Sequence, residues 1–316
     1  MPFRHDSPLK EGAKAPNRQP DKLKFERRSL ALEMKHVATR AGRLSSCLKE
    51  EMHMSTGLMN RLKWDEKILV NGVPQHTNFV VEPGDMITVL LEEQITDFPA
   101  EQGDLTILYE DDHILAVDKP AGMLIHPSHS QNTGTLANFV AGYYEATGKK
   151  SAFHPVTRLD RDTYGVVLLA KNSHIHAALQ ATDVEKIYHA WVFGGPEENS
   201  GTIDAPIARR PLPSLLRFIS PEGKPSVTEF RVLRRKEGTT VLALCPITGR
   251  THQLRLHCAH MGFPILGDPQ YGSEASQALS QELGLQYQRL CAKSVQFIHP
   301  ITGELLTIVT NLNAEM

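Results

Sequence analysis

The sequence is poor in the features that mark membrane proteins and secreted, disulfide-bonded proteins. It has no run of about 18 apolar residues and no apolar N-terminal segment of the signal-peptide kind, so we expect a cytoplasmic protein without membrane spans. Its four cysteines form no CxxC pair, which argues against a zinc site and a disulfide framework. The 316 residues, with 41% hydrophobic and 22% charged side chains, suit a globular protein of two domains.

The chain as a whole has no excess of basic over acidic residues, since the formal net charge is -2. The distribution is nevertheless uneven. Residues 1–63 hold 14 Lys/Arg against 7 Asp/Glu, and residues 207–255 hold 10 against 3, whereas residues 92–118 hold nine acids and no Lys or Arg. Two basic zones separated by an acidic one favour a protein that contacts a polyanion at selected places. Ordinary solvated charge is the alternative.

A charge-dense turn followed by an apolar run stands at His154 to Lys171, HPVTRLDRDTYGVVLLAK. The run VVLLA has the length and the bounds of a buried strand. Asp160 and Asp162 therefore precede a strand, beside Arg158 and Arg161, whose positive charge lowers a carboxylate pKa and keeps the group ionised. The segment supports either a catalytic carboxylate or a structural salt-bridge turn.

The chain before this segment divides into a tail, a small module and a linker. Residues 1–29 lack apolar periodicity and predict a flexible basic tail. Residues 30–92 form the module: the pattern from Leu30 predicts a helix, GRLSSCL a short helix, Ser55 or Thr56 the cap of another, and an Asn-Gly turn lies between strands. Residues 93–104 predict an acidic linker to a second domain at 105–316.

Within that domain, the patterns predict a hairpin over 105–117, a helix over 136–146, a helix after Asn172, a hairpin over 227–245 and two strands over 290–309. The strand KIYHAWVF places Tyr188 on one face with Ala190 and Val192. Tyr188 is either a core tyrosine or, if it faces a cleft, a platform for a base.

A further helix is predicted from Thr251 to Gly262, with Leu254, Cys258 and Met261 buried. Arg255 falls near its N-terminus, where a cation opposes the helix dipole, so we expect an acidic partner for it. The histidines of this segment lack the spacing of a metal pair, and we expect no metal site.

The module resembles the small RNA-binding module named after ribosomal protein S-four, through GRLSSCL, the helix Leu-Met-Asn-Arg-Leu-Lys, ILVNG and VEPGDMITV. The resemblance implies that basic side chains of its helices contact RNA phosphates. By position these are Arg43, Arg61 and Lys63. The alternative is a small hydrophobic module with a solvated basic face.

Three segments of the second domain, KPAGMLIHPS, HPVTRLDRDTYGVVLLAK and TGRTHQLRLHCAHMGFPILGDPQYG, stand before RLCAKSVQFIHPITGE. Together they resemble the RluA-type family of RNA pseudouridine synthases. The resemblance implies an α+β class, the pseudouridine synthase fold, with a mixed, mainly antiparallel sheet and flanking helices behind a small α/β module. It implies isomerisation of specific uridines in structured RNA. That reaction is redox-neutral and internal, so no cofactor is expected.

Carried over by motif, the catalytic aspartate in RLD is Asp160, the active-site tyrosine in Lys-x-Tyr is Tyr188, and the cation that pairs with the aspartate is Arg255 in HQLR. Arg158 is a further candidate substrate-binding residue. The chain departs from the family at Thr157 and Tyr164, where His and Ser are common, and both changes bear on how RNA is held near the site.

Several interpretations stay open at this point. The S-four-like module favours large-subunit ribosomal RNA as the target, and transfer RNA is the second choice. A non-catalytic RNA-binding or ribosome-assembly factor on the same fold is a rival, and a hydrolase using Asp160 or Asp162 lacks a nucleophile elbow and metal ligands. We expect a monomer, because the sequence shows no exposed apolar heptad.

Overall fold

The computed structural model describes residues 27–96, 98–128, 130–211, 214 and 216–315. The helices are α1 (Leu44–Glu50), α2 (Thr56–Trp64), α3 (Leu136–Ala146), α4 (Ser173–Ala181), α5 (Gln253–His260) and α6 (Glu274–Glu282). The strands are β1 (Arg27–Val37), β2 (Gly42–Arg43), β3 (Ile68–Val70), β4 (Val73–Pro74), β5 (Val80–Val81), β6 (Met86–Thr96), β7 (Thr106–Glu110), β8 (Ile114–Lys119), β9 (His154–Pro155), β10 (Tyr164–Ala170), β11 (Glu185–Phe193), β12 (Ser200–Asp204), β13 (Ile207–Arg209), β14 (Arg217–Ile219), β15 (Val227–Lys236), β16 (Thr239–Pro246), β17 (Leu290–Ile298) and β18 (Leu305–Val309).

The N-terminal module packs α1 and α2 on a four-stranded sheet of order β1-β6-β3-β4. The helix predicted from Leu30 is wrong, because this segment is β1 and pairs with β6 from Arg27↔Thr96 to Val37↔Met86. Its burial alternates with period 2, as Leu32 and Met34 are buried between exposed neighbours. The two short helices are confirmed, and the Ser55 side chain caps α2 by accepting from the Leu58 N–H at 3.2 Å.

Two predicted boundaries in this part of the chain differ from the structure. Residues 1–26 lie outside the described residues, and Arg27 already begins β1. The linker prediction is wrong for residues 93–96, which continue β6, and the stretch from Phe98 is packed on the second domain. There the Glu101 N–H donates to the Asn138 carbonyl at 3.1 Å.

The second domain is built on a large sheet of order β12-β15-β16-β11-β17-β10-β8-β7, with β18 beside β17 and β9 beside β10. Among the described strands of this sheet, β10 and β17 run parallel and the other pairs are antiparallel. This confirms the mixed, mainly antiparallel architecture. The predicted hairpins and helices of the domain are confirmed, including the Asn172 cap of α4, which accepts from the Ile175 N–H at 2.8 Å.

Strand β10 lies in the interior of this sheet, and all seven of its residues are buried. Val166 and Leu168 belong to a core shared with the N-terminal module, whereas Val167 and Leu169 belong to the core beneath α3. Burial on both faces explains the uninterrupted apolar run. Gly165, at φ 106°, pairs with Ala292 of β17, and a Cβ there would lie 2.3 Å from the Ala292 carbonyl oxygen.

The predicted helix near Arg255 exists, but its details differ. It begins at Gln253, its N-cap is His252 rather than Thr251, and Met261 lies beyond its end with 47% of its surface exposed. Leu254 and Cys258 are buried as expected. The prediction for Met261 was wrong because the helix stops at His260, so the stripe does not continue to it.

The N-terminal module is docked on the second domain. The buried Glu93 carboxylate, at the end of β6, accepts from the Ser173 N–H at 2.7 Å, and the His174 ring contacts the Met52 carbonyl at 3.0 Å. The shared core continues from Leu32 to Phe297. Among the helices within the described residues, none combines the length and apolar composition of a bilayer crossing.

Candidate active site

A cleft of about 870 Å³ opens between the turn before β10, the exposed end of β11 and the loop that leads into α5. Its lining includes Arg158, Asp160, Lys186, Tyr188, His252 and Arg255. Four of the sequence-predicted residues, Arg158, Asp160, Tyr188 and Arg255, are therefore brought to one cavity from three separate parts of the chain.

Asp160 and Arg255 meet in this cleft. The turn that carries Asp160 is closed by the Thr163 N–H, which donates to the Asp160 carbonyl at 3.2 Å. Arg255 lies in the first turn of α5, and its Nη1 donates to Asp160 Oδ2 at 3.2 Å. The acidic partner expected for Arg255 is thus present.

Arg255 has a second, deeper carboxylate partner. Its Nε and Nη2 donate to the two oxygens of Asp268 at 2.7 and 2.8 Å, and Nη2 also donates to Gln270 at 2.9 Å. The Tyr271 ring lies 5.1 Å from the guanidinium. Burial opposes the charge on Arg255, but Asp268 and Asp160 outweigh it and raise the Arg255 pKa. The bidentate contact fixes the guanidinium plane and leaves Nη1 to face Asp160.

Tyr188 belongs to both the core and the cleft. Its ring packs with Ala190 and Val192, as the strand pattern predicted, and only 9% of the residue is exposed. Burial and then the charge of Asp160 raise the Tyr188 pKa, so the phenol stays protonated. Within the described part of the chain its hydroxyl makes no hydrogen bond, which leaves it available at the wall of the cleft.

Two cations without a carboxylate partner face the same cavity. Arg158 is exposed at the rim, and Lys186 is half-buried two residues before Tyr188 on the same face of β11. Burial lowers the Lys186 pKa. Neither side chain forms an ion pair with another described residue. A half-buried cation such as Lys186 and an exposed one at the rim both suit an anionic ligand.

Asp162 has a different partner from Asp160. Its carboxylate binds the guanidinium of Arg161 at 2.8 and 3.0 Å on the other side of the turn. The turn is fixed from below by Lys119, whose buried ammonium donates to the Arg161 carbonyl at 2.9 Å and to two carbonyls of its own loop. The structure therefore separates the two aspartates.

His252 is a neighbour of Asp160 that the motif comparison did not single out. Its backbone is left-handed, at φ 59° and ψ 19°, and its Nδ1 lies 2.8 Å from the Tyr271 hydroxyl. Its Nε2 lies 3.9 Å from Asp160 Oδ2. Burial lowers the His252 pKa and outweighs the attraction of Asp160.

The two departures from the family pattern have structural roles. The buried Thr157 hydroxyl accepts from the Leu168 N–H at 2.9 Å. Tyr164 donates its hydroxyl to the Asn313 carbonyl at 2.9 Å and does not line the cleft. Thr157 thus forms part of the cleft wall, whereas Tyr164 binds the C-terminal segment through Asn313.

The three predicted RNA contacts of the N-terminal module lie away from the cleft. Arg43 and Arg61 are exposed, and the Lys63 ammonium lies 5.0 Å from the exposed Trp64 ring. Also in this module, His36, Cys47 and Glu51 bring three potential ligand atoms within 4.8 Å of one another. Burial and the nearby Glu51 raise the Cys47 pKa to about 12, and Glu51 already accepts from His36 at 2.9 Å, so this trio is a hydrogen-bonded cluster.

Comparison with known proteins identifies the family of the chain. Residues 113–260 match the family described as RNA pseudouridylate synthase. The chain is 36% identical over 271 residues to the uncharacterised RNA pseudouridine synthase YjbO of Bacillus subtilis, covering 82% of this chain and 93% of that protein. It is 36% identical over 251 residues to the ribosomal large subunit pseudouridine synthase D of Pseudomonas aeruginosa, covering 76% of this chain and 78% of that one.

Among solved structures, the human RNA pseudouridylate synthase domain containing 1 superimposes with a TM-score of 0.56 at 25% identity, over 68% of this chain and 86% of that chain. The motifs, the fold and these relatives agree, and the chain belongs to the RluA-type family of RNA pseudouridine synthases.

Proposed function

We propose that the chain isomerises specific uridines of structured RNA with Asp160 as the catalytic carboxylate, acting at the ribose of the target nucleotide. The observation that carries this proposal is the contact between Asp160 and Arg255 at 3.2 Å inside the cleft. It joins residues of two family motifs 95 positions apart. A carboxylate beside a fixed guanidinium stays ionised and aimed.

The reaction breaks the bond between ribose carbon 1 and ring nitrogen 1, turns the base and joins carbon 5 to the sugar. The base must be held during this rotation, and the Tyr188 ring provides an apolar wall beside Asp160. A uridine in a stem or loop must first be turned out into the cleft at a cost of a few kcal/mol. Contacts of Arg158 with RNA phosphates at the rim would offset part of that cost.

The target we favour is large-subunit ribosomal RNA, because relatives in Pseudomonas aeruginosa and Xanthomonas campestris are named for that substrate. Transfer RNA is the second choice. We propose further that Arg43, Arg61 and Lys63 of the S-four-like module contact phosphates of the same RNA, and that the protein works in the cytoplasm as a monomer.

The target is tested by mapping pseudouridine with carbodiimide and primer extension on total RNA from cells with and without the protein. We expect a discrete stop in 23S-type ribosomal RNA that disappears with the protein and returns with the wild-type chain. Loss of a stop in transfer RNA would replace the favoured target, and identical stops at every position would contradict the proposal in favour of a non-catalytic RNA-binding role.

The role of the N-terminal module is tested by charge removal, because deletion of a module that shares a core with the second domain would expose apolar surface. The triple variant Arg43→Ala, Arg61→Ala, Lys63→Ala should bind RNA more weakly and with a smaller salt dependence. Lys236→Ala, an exposed lysine at the end of β15, is the matched control. An unchanged salt slope in the triple variant would remove the module from the RNA contact.

A further inference from the structure

The backbone at His252 is held in an unusual conformation. At φ 59° it occupies the left-handed region, which costs non-glycine residues free energy and is common where a side chain is placed for function. His252 is the N-cap of α5, yet its side chain makes no capping hydrogen bond. In this conformation the imidazole lines the cleft, with Nε2 3.9 Å from Asp160 Oδ2.

The contact with Tyr271 bears on which nitrogen of the neutral imidazole carries the proton. The Tyr271 hydroxyl accepts from the Arg217 N–H at 3.1 Å and lies 2.8 Å from His252 Nδ1. Because the hydroxyl already accepts from Arg217, we assign it as the donor to Nδ1. With Nδ1 as an acceptor, Nε2 carries the N–H.

That N–H faces the catalytic carboxylate across a gap. The distance from Nε2 to Asp160 Oδ2 is 3.9 Å, too long for a direct hydrogen bond. An atom placed about 2.8 Å from both would make two good hydrogen bonds at an angle of about 90°. Because His252 donates and Asp160 accepts, an atom bound between them must both accept and donate a hydrogen bond. A hydroxyl group does so, whereas a carbonyl or phosphate oxygen would repel the carboxylate.

We infer that His252 and Asp160 together bind the ribose 2′-hydroxyl of the nucleotide that is turned into the cleft. Inside an RNA chain the 3′ and 5′ oxygens are esterified, so the 2′-hydroxyl is the sugar's free hydroxyl and the group that distinguishes RNA from DNA. His252 accordingly contacts substrate and restricts it to ribonucleotides. The inference rests on the proposed function, since it needs Asp160 at the ribose.

The test compares two substrates in wild type and variants. The probe is a synthetic stem-loop RNA containing the uridine mapped as above, made with either ribose or 2′-deoxyribose at that uridine only. His252→Gly removes the imidazole and suits the left-handed backbone, and His252→Asn provides a second variant that tolerates it. His260→Gln, an exposed histidine at the other end of α5, is the control. Rate constants are measured in single turnover at saturating enzyme.

The quantity that decides is the ratio of the ribose to the deoxyribose rate constant. In His252→Gly and His252→Asn this ratio should fall about three- to tenfold below the wild-type ratio, the worth of one hydrogen bond, and His260→Gln should retain the wild-type ratio. Tyr271→Phe removes the hydroxyl contact to His252 Nδ1, so the imidazole proton is no longer restricted to Nε2, but it keeps the ring over Arg255. This variant should lower the ratio by less than the two His252 variants do. A merely structural role would slow both substrates equally, so an unchanged ratio in both His252 variants would overturn the inference. Conversion of the all-ribose probe by the wild type tests the proposed function separately.

Discussion

Replacing Arg255 by methionine removes the cation that lies between two carboxylates. Asp268, with 1% of its side chain exposed, then has no ion-pair partner among the described residues. Breaking a buried ion pair from one side costs about 3–5 kcal/mol. The backbone N–H groups of Gln270 and Tyr271 still donate to Asp268 at 2.9 and 3.2 Å, so we expect the lower end of this range, about 3 kcal/mol.

The second substitution makes the prediction specific. Adding Asp268→Asn to Arg255→Met removes the unpaired carboxylate of Asp268. The asparagine keeps a side-chain oxygen that accepts from the N–H groups of Gln270 and Tyr271. The double variant should therefore be more stable than Arg255→Met alone, by about 1–2 kcal/mol. Both should be inactive, because Asp160 has lost its cation in each. Asp268→Asn alone should also destabilise the protein, since Arg255 loses its bidentate partner.

Urea denaturation followed by tryptophan fluorescence measures these differences, and single-turnover conversion of the mapped RNA measures activity. A double variant that is no more stable than Arg255→Met would refute the reasoning, because Asp268 would then not be a charge that depends on Arg255. Recovery of activity in the double variant would refute the assignment of Arg255 to Asp160.

Three further substitutions probe other contacts. Lys186→Met should weaken RNA binding and reduce the slope of log affinity against log salt by roughly 0.7–0.9, whereas Lys236→Met should leave the slope unchanged; equal slopes would exclude a phosphate contact. Tyr164→Phe should cost about 1 kcal/mol in unfolding free energy by losing the bond to Asn313, with the conversion rate unchanged; a slowed rate would place Tyr164 in the site. Burial raises the Glu110 pKa, but hydrogen bonds from two lysines at 2.6 and 2.8 Å outweigh it and lower that pKa to about 2. Because the folded value lies below the ordinary one, this stabilisation is complete above about pH 4.5 and is lost as pH falls through about 2. Glu110→Gln should reduce the dependence of the unfolding free energy on pH between about 2 and 4.5. An unchanged dependence in that range would contradict this prediction.

The sequence predicted most of the secondary structure, since the relevant signals are local. The run after Asp160 is apolar throughout because β10 is buried on both faces, and the caps at Ser55 and Asn172 are read from the residues themselves. The strand β1 was mistaken for a helix because its partner, β6, lies about sixty residues away and supplies the pairing that decides its conformation. Local pattern does not contain that information.

At the site, the sequence placed Asp160, Tyr188 and Arg255 by motif, and their common cleft follows from the structure. Asp268 was missed, although it stands in GDPQYG thirteen residues after Arg255. His252 was missed because its left-handed backbone and the contact of its ring with Tyr271, nineteen residues on, are features of the folded chain. Neither is visible in the spacing of the histidines.

Single-turnover conversion of the mapped RNA by Asp160→Asn tests whether Asp160 performs the isomerisation. Asparagine is nearly isosteric and leaves Arg255 bound to Asp268, so RNA affinity and thermal stability should stay close to the wild-type values. We expect a loss of conversion of about 10²–10⁴-fold or more. Conversion within about tenfold of wild type, with binding intact, would contradict it.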